Sequence, residues 1–369
     1  MGSFGLSWRC AMRALPMLRG RKAMRKQFGV LLAALFYYTG LIGLARWLQQ
    51  RSGPRLIILN YHHASGEDLR RHLLYLRRHY RVLHLDEALT ELYAPAERWA
   101  TKRDKRALVA LTFDDGYHDN YTHAFSLARE LRMPITIFLI PGYVESGDYF
   151  WWGEGRRLVQ RAGVAVVTLE GRTYRLDALE EKARLSQTID ARLRHASSIV
   201  EREAFLAQVR ELLAVPGNVT VEEEKDRPMS WAEIQKMQES GWVSYGAHTM
   251  HHPILAYLSD PADLHYEVSE CRKVLEQRLA CPVRSLAYPV GRAEHIGEEV
   301  VQAVKDAGYA WAVTTYKGSN TPASDPYLLK RMLSDSSRNW LVMAAETSGI
   351  WDLLAPLWKA VIGKGEDVA

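Results

Sequence analysis

Apolar and polar positions along this chain fall into short blocks of two periods. Runs of five to seven mostly apolar, often β-branched residues at 56–62, 107–113, 135–140, 242–247, 284–288 and 310–314 predict buried strands. Between them the apolar spacing lengthens to that of a helix. One helix is expected over His118–Leu131, ahead of Pro134. A second is expected over 261–279, where Pro261 opens the turn and Leu264, Val268, Cys271, Leu275 and Leu279 share a face. Strands separated by helical pattern are what an α/β barrel requires.

Two stretches depart from that rhythm. Residues 142–230 separate the third strand from the fourth by far more than a βα connection needs, so they form an insertion with its own structure. It opens on an aromatic knot, Tyr149 to Trp152. It continues with a hairpin turning at Glu170-Gly171 and a charged helical stretch over 178–213. Trp151 and Trp152 either stack on a substrate or pack the insertion onto its domain. At the other extreme, Phe28–Ala45 holds 18 residues without a charge, about 27 Å as a helix. Near the C-terminus Trp340, Met343, Ile350, Trp351, Leu354, Leu357, Trp358 and Ile362 form an apolar stripe broken at Pro356, suited to packing or to a membrane surface.

Charge sharpens the reading of the leader. The 369 residues carry a formal +5, yet residues 1–55 hold ten Lys or Arg and no acid, which leaves −5 for the rest. A basic excess flanking an apolar stretch points to a membrane and excludes a nucleic-acid-binding surface on the fold. Seven basic residues precede the stretch and Arg46, Arg51 and Arg55 follow it. The positive-inside rule therefore predicts a single inner-membrane anchor with the folded part extracytoplasmic, in the periplasm. An interfacial helix with the folded part on the cytoplasmic face is the second reading, and a cleaved signal the third. Three segments follow: a leader and anchor over 1–54, a barrel over 55–335, and a tail over 336–369. Cys10, Cys271 and Cys281 suggest neither a disulfide framework nor a lipid anchor.

The candidate chemistry lies where strands meet loops. Thr112-Phe113-Asp114-Asp115-Gly116 closes the second run, placing two carboxylates at a strand's C-terminal end, where α/β barrels keep their active sites. The pair fits a helix N-cap as well as a cation site in which one carboxylate binds and the other serves as base. Gly246-Ala247-His248-Thr249-Met250-His251-His252-Pro253 closes the fourth run. His248 and His252, four apart and followed by Pro, can converge on one ion with a carboxylate from elsewhere, while His251 turns away.

With TFDDG and HTMHHP both present, the chain resembles the NodB-type polysaccharide deacetylases of carbohydrate esterase family 4, from about Leu56 to Met332. The resemblance implies a deformed (β/α) barrel, here with a helical insertion after the third strand, and metal-dependent removal of acetyl groups from a sugar. It implies Asp115, His248 and His252 as metal ligands and Asp114 as the base acting on a water held by the metal. The metal would be Zn²⁺, with Co²⁺ or Ni²⁺ compatible with the same donors. The substrate would be an N-acetylated glycan, polymeric or lipid-linked.

Two departures from the family stand out. The C-terminal LxxxH that supplies a proton donor in many members is missing from Tyr327–Met332. His62, in the Asn60-Tyr61-His62-His63 end of the first strand, resembles the donor of another branch; alternation puts it and His63 on opposite faces. A His that merely packs against the site is the alternative. The Arg of the family's RPPYG motif is replaced by Ala287 in Leu286–Gly291, a YPxG pattern, and Arg284 lies three residues too early. A backbone amide near Tyr288 is implied to help bind the oxyanion, or the YPVG is only a turn; Trp311 lines the acetyl pocket or belongs to the core. These departures keep alternatives alive: a catalytically silent glycan-binding or scaffold protein, an O-acetyl esterase, or a deformylase.

Overall fold

The computed structural model describes residues 27–102, 104–215 and 226–354. Its central feature is a closed parallel barrel of seven strands. In chain order the strands of the protein are β1 (Leu56–Tyr61), β2 (Arg81–Val82), β3 (Leu108–Phe113), β4 (Ile135–Leu139), β5 (Val166–Leu169), β6 (Arg172–Arg175), β7 (Val243–Ala247), β8 (Ser285–Ala287), β9 (Trp311–Lys317) and β10 (Leu329–Leu333). Around the barrel the order is β1-β10-β9-β8-β7-β4-β3, closed by the pairing of β3 with β1 from Leu56↔Leu108 to Tyr61↔Phe113. β2 pairs only with the first residues of β3, beside the edge that β4 takes further along. The expected deformed barrel is the one observed.

Strands β1, β3 and β4 are short, apolar and buried on both faces, as parallel strands covered by helices must be. Alternation decides which side chains enter the barrel. Leu56 and Ile58 of β1, Leu108 and Ala110 of β3, Phe138, Ala287, Val313 and Leu329 form one interior cluster. The apolar face of the helix Leu85–Leu92 joins it at the end where the strands begin. That leaves the C-terminal ends open for polar groups.

Five of the six expected strands are found within a residue of their predicted bounds, and the sixth, expected over 310–314, runs three residues further, to Lys317. β10 is an addition: its alternation reads Leu-Lys-Arg-Met-Leu, and a charged residue at an interior position hides the strand pattern. The helix expected over His118–Leu131 contains a π-turn, Asn120–Ala124, before regular helix from Phe125 to Leu131. The helix Pro261–Leu279 has the predicted bounds, with Pro261 in its first turn, and begins on an Asp260 cap.

The insertion has a core of its own. Helices Trp151–Gln160, Leu179–Arg194 and Ile199–Leu212 bury Leu158, Leu185, Ile189, Leu206 and Val209 with the β5–β6 hairpin, which turns at Glu170-Gly171.

Among the described residues the chain forms two compact units. One contains residues 54–66 and 76–336, and with them the barrel and its insertion. The other gathers 27–53, 67–75 and 337–354. In this second unit the uncharged stretch is not one helix. It divides into Gln27–Tyr38 and Leu41–Arg51, bent by 73°, and no single described helix is long and apolar enough to cross a membrane. The break falls at Thr39-Gly40, where Gly40 takes φ 80, a left-handed conformation that ends a helix. The basic residues before Gln27, and Pro356, Leu357, Trp358 and Ile362 of the C-terminal stripe, lie outside the described residues.

Candidate active site

Four strand ends bring the candidate residues together. β3 delivers Asp114 and Asp115. The Asp114 amide donates to Tyr61 O (2.9 Å), tying the motif to the end of β1. Asp115 and Gly116 then take φ 73 and 71, turning the chain sharply enough for both carboxylates to face the barrel mouth. β7 delivers the histidines through a tight loop. Within it Thr249 and His252 have φ 64 and 56, and Thr249 Oγ1 accepts from the His252 amide (3.0 Å). Non-glycine residues held at positive φ cost on the order of 1–3 kcal/mol each and concentrate where function requires them.

Asp115 Oδ1 lies 3.4 Å from His248 Nε2 and 3.7 Å from His252 Nε2. One donor atom from each of the three residues lies within 4.8 Å of the others, and all three residues are buried. Donors about 2.0–2.1 Å from a tetrahedral ion stand roughly 3.4 Å apart, so the spacing fits a cation. The hydrogen bonding agrees. His248 Nδ1 donates to Ala287 O (2.7 Å), which fixes the tautomer and turns the Nε2 lone pair toward Asp115. Among the described residues, Asp115 Oδ1 and His252 Nδ1 are buried without a hydrogen-bond partner. Burial, with the nearby His248, drives His252 down to about 3, so its ring is neutral and has a lone pair to offer. Burial works to lower His248 as well, but the Asp115 carboxylate 3.4 Å from its Nε2 and the charge of Asp114 overcome it and raise the group.

Asp114 is held differently. Arg331, buried on β10, grips it as a fork: Nη1 donates to Oδ1 at 2.7 Å and Nη2 to Oδ2 at 2.8 Å. The guanidinium is itself fixed by Nε donating to Thr314 O (2.8 Å). Burial would raise the Asp114 carboxyl, and the Arg331 charge reverses this to a net lowering, so the carboxylate stays ionised inside the barrel. The residue that replaces the family arginine is therefore Arg331, in the same Tyr327–Met332 stretch that lacks the histidine. Arg284 is not involved. It precedes β8, at the opposite end of the barrel, with its guanidinium 5.8 Å over the Trp311 ring.

Just past β1, His62 is partly buried and near enough for its charge to lower both aspartates. Asn120 Nδ2 donates to its carbonyl (2.9 Å). His63 lies elsewhere: Nδ1 is 3.4 Å from Asp119 Oδ2, and the ring sits 4.1 Å from that of Tyr117. Asp119 also accepts from the Ala64 and Ser65 amides (2.8 and 3.2 Å). The segment after TFDDG thus clamps the loop after β1, a role that the polar pair Asp119-Asn120 gave no sign of in the sequence.

The aromatic candidates separate. Trp151 is buried, with Nε1 donating to His252 O (2.9 Å), and so packs the insertion onto the histidine loop instead of facing a sugar. Trp152 is half-buried, stacked on Phe150, 4.4 Å from the His252 ring, and donates from Nε1 to Tyr117 Oη (2.7 Å). Arg202 of the insertion adds a bond from Nη1 to His251 O (3.0 Å). The Tyr288 amide donates to Val313 O (3.1 Å), so that amide is committed to the sheet and not to an oxyanion. Trp311 begins β9, at the end of the barrel away from Asp115, stacked on Tyr93 at 5.3 Å; this places it on the floor and not in an acetyl pocket.

His251 turns away from the cluster to the buried Glu267, which accepts from its Nδ1 (2.6 Å) and its amide (2.8 Å). The loop is also pressed against Gly142. A Cβ there would lie 2.5 Å from Met250 O and 2.6 Å from the His251 ring. Gly142→Ala is therefore expected to displace the loop, destabilising the fold by about 1–3 kcal/mol and weakening metal affinity roughly 10- to 100-fold. Thermal unfolding and competition with a chelator would measure the two effects.

Comparison with known proteins bears on what this site does. The Polysaccharide deacetylase family profile matches residues 101–312. The chain belongs to the polysaccharide deacetylase family. It is accordingly a hydrolase of the carbohydrate deacetylase kind. YxkH of Bacillus subtilis, a curated polysaccharide deacetylase homologue, is 22% identical over 289 residues, covering 78% of this chain and 74% of YxkH. Among solved structures, the deacetylase PplD of Streptococcus pyogenes, in complex with acetate, superposes with a TM-score of 0.51 at 16% identity, over 79% of this chain and 97% of PplD. IcaB from Ammonifex degensii gives 0.50 at 19% identity, over 80% and 98%. These likenesses establish the shared barrel. His62 and Arg331 both lie outside the residues that the family profile matches.

Proposed function

We propose that this protein removes N-acetyl groups from a sugar within a polysaccharide or lipid-linked glycan, with Asp115, His248 and His252 holding a divalent metal, Zn²⁺ first among candidates. The observation that carries this reading is a buried Asp-His-His cluster with bare polar atoms, set beside a second aspartate kept ionised by its own arginine. A cation held there would acidify water and polarise the acetyl carbonyl. Asp114 takes the proton from the attacking water, and the Arg331 fork keeps its carboxylate ionised and aimed while it does so. The reading of a silent glycan binder drew on the missing LxxxH and the absent family arginine; Arg331 speaks to the second ground, and the first is left to the test of His62.

The departing amine needs a proton, and His62 is the group proposed to give it. Its position continues the parity of the interior residues Leu56 and Ile58, and its charge reaches both aspartates. His62→Ala is expected to keep its metal and to lose roughly 10²- to 10⁴-fold in amide hydrolysis, while sparing aryl acetates, whose leaving group needs no proton. His63→Ala should change neither. Equal loss on both substrates would remove His62 from the mechanism.

The reading as a whole is tested by stripping the protein with chelator, reloading Zn²⁺, Co²⁺ or Ni²⁺ singly, and following acetate release from N-acetylglucosamine oligomers. Release restored by metal supports it. Glycan binding without release under any metal would establish a silent binder, and release only from O-acetylated or formylated sugars would reassign the substrate.

A further inference from the structure

The stretch read from sequence as a spanning anchor is two-faced in the structure. On one side Ala33, Ile42 and Ala45 are buried, Phe36 lies 5.6 Å from Trp351, and Tyr37 meets Trp340 edge-on at 5.0 Å. Arg46 Nη1 donates to Tyr75 Oη (3.1 Å). On the other side Phe28, Leu31, Leu35 and Tyr38 recur at helical spacing, each more than half exposed. Leu41, Leu44, Trp47 and Leu48 do the same on the second arm, each at least two-fifths exposed. Eight large apolar side chains in two consecutive helical rows form an interaction surface, unlike single scattered exposed residues.

We infer that this bent helix pair lies in the plane of an anionic lipid surface, its open rows sunk among the acyl chains, without spanning the bilayer. Three observations favour lipid. Arms of 12 and 11 residues reach about 18 and 17 Å, short of the roughly 30 Å of a hydrocarbon core. The side engaged by Trp351, Trp340 and Tyr75 is not open to lipid, so the pair cannot be apolar all round as a span requires. Ten basic and no acidic residues within 1–55 complement anionic headgroups, and the same charge would repel a second copy of the chain docked face to face. Tyr38 and Trp47, each with an apolar body and a polar tip, suit the headgroup boundary.

The test uses the full-length chain added to preformed vesicles. Binding to phosphatidylcholine vesicles with about 30% phosphatidylglycerol is expected to exceed binding to phosphatidylcholine alone by roughly 10-fold, and to weaken in high salt. Leu44→Glu combined with Trp47→Glu should weaken it roughly 10-fold again, with the thermal midpoint and acetate release from short soluble oligosaccharides retained. Undiminished binding of that variant would overturn the inference. So would a vesicle-free dimer that the variant converts to monomer. Topology gives an independent reading, with Cys281→Ser throughout and Cys271 buried. Native Cys10, and Ser52→Cys in a Cys10→Ser chain, should both react with an impermeant maleimide outside the vesicle. Protection of either one would establish a span and overturn the in-plane arrangement.

Discussion

Arg331→Met is expected to destabilise the protein by about 3–5 kcal/mol at neutral pH and to abolish most of its turnover, because it strands a buried carboxylate. In the native barrel the Arg331 charge outweighs burial and keeps the Asp114 carboxyl below its usual range. A group lowered in this way contributes stability that is present above its unfolded value, about 3.9, and is lost as pH falls through the folded value. Without Arg331 the largest lowering influence is lost, only the charges of His248 and His62 oppose burial, and the Asp114 carboxyl rises. The variant should then be stabilised by acidification toward pH 5 relative to pH 7, with its deficit against the native protein narrowing as Asp114 protonates. The acid limb of its rate profile should move upward for the same reason, since a protonated Asp114 is no base. Arg331→Lys should recover part of the stability but little of the rate, as an ammonium cannot make both arms of the fork seen at 2.7 and 2.8 Å. Asp114→Asn combined with Arg331→Met should cost less than the sum of the single changes. Denaturation at two pH values and a pH–rate profile measure all of this. An Arg331→Met protein with native stability and an unmoved acid limb would show that the pair does not hold the base.

What the sequence revealed of this site was what lies close together along the chain. Asp114 and Asp115 share one strand end, and His248 and His252 share one loop, so strand-end logic sufficed to find them. Arg331 is 217 residues from its partner Asp114. Its strand alternates in a way that makes an interior arginine look like a break in the pattern, so the seventh barrel strand and the missing arginine were hidden by the same residue. Trp311 and Trp151 stayed between two readings for a related reason. An aromatic near a motif in sequence does not reveal which end of the barrel it reaches, or whether its indole N–H already has a backbone carbonyl to bind. The apolar leader was legible as a membrane candidate from composition. Its form was not, because a single left-handed Gly40 divides what hydropathy counts as one run.

The two aspartates, adjacent in sequence, should separate by experiment. Asp115 shares its oxygen with two imidazoles, whereas both oxygens of Asp114 are already bonded to Arg331. Asp114→Asn is therefore expected to retain metal at close to one equivalent while turnover falls by roughly 10²- to 10⁴-fold, the span of a lost general base. His248→Ala and His252→Ala should lose metal and turnover together, because each removes a donor whose neighbours are fixed in place: His248 by Ala287 O, and His252 by the left-handed turn and the Thr249 hydroxyl. Thermal unfolding supplies a readout that does not depend on activity. A metal present at about 100 times its dissociation constant stabilises the folded state by about 2.7 kcal/mol. Added Zn²⁺ should thus raise the midpoints of the native protein and of Asp114→Asn by the same amount, and leave those of the two histidine variants where they are. Metal analysis after dialysis gives the stoichiometry directly. If Asp114→Asn sheds metal as completely as the histidine variants do, Asp114 is a ligand, and the Arg331 fork orients a donor instead of a base.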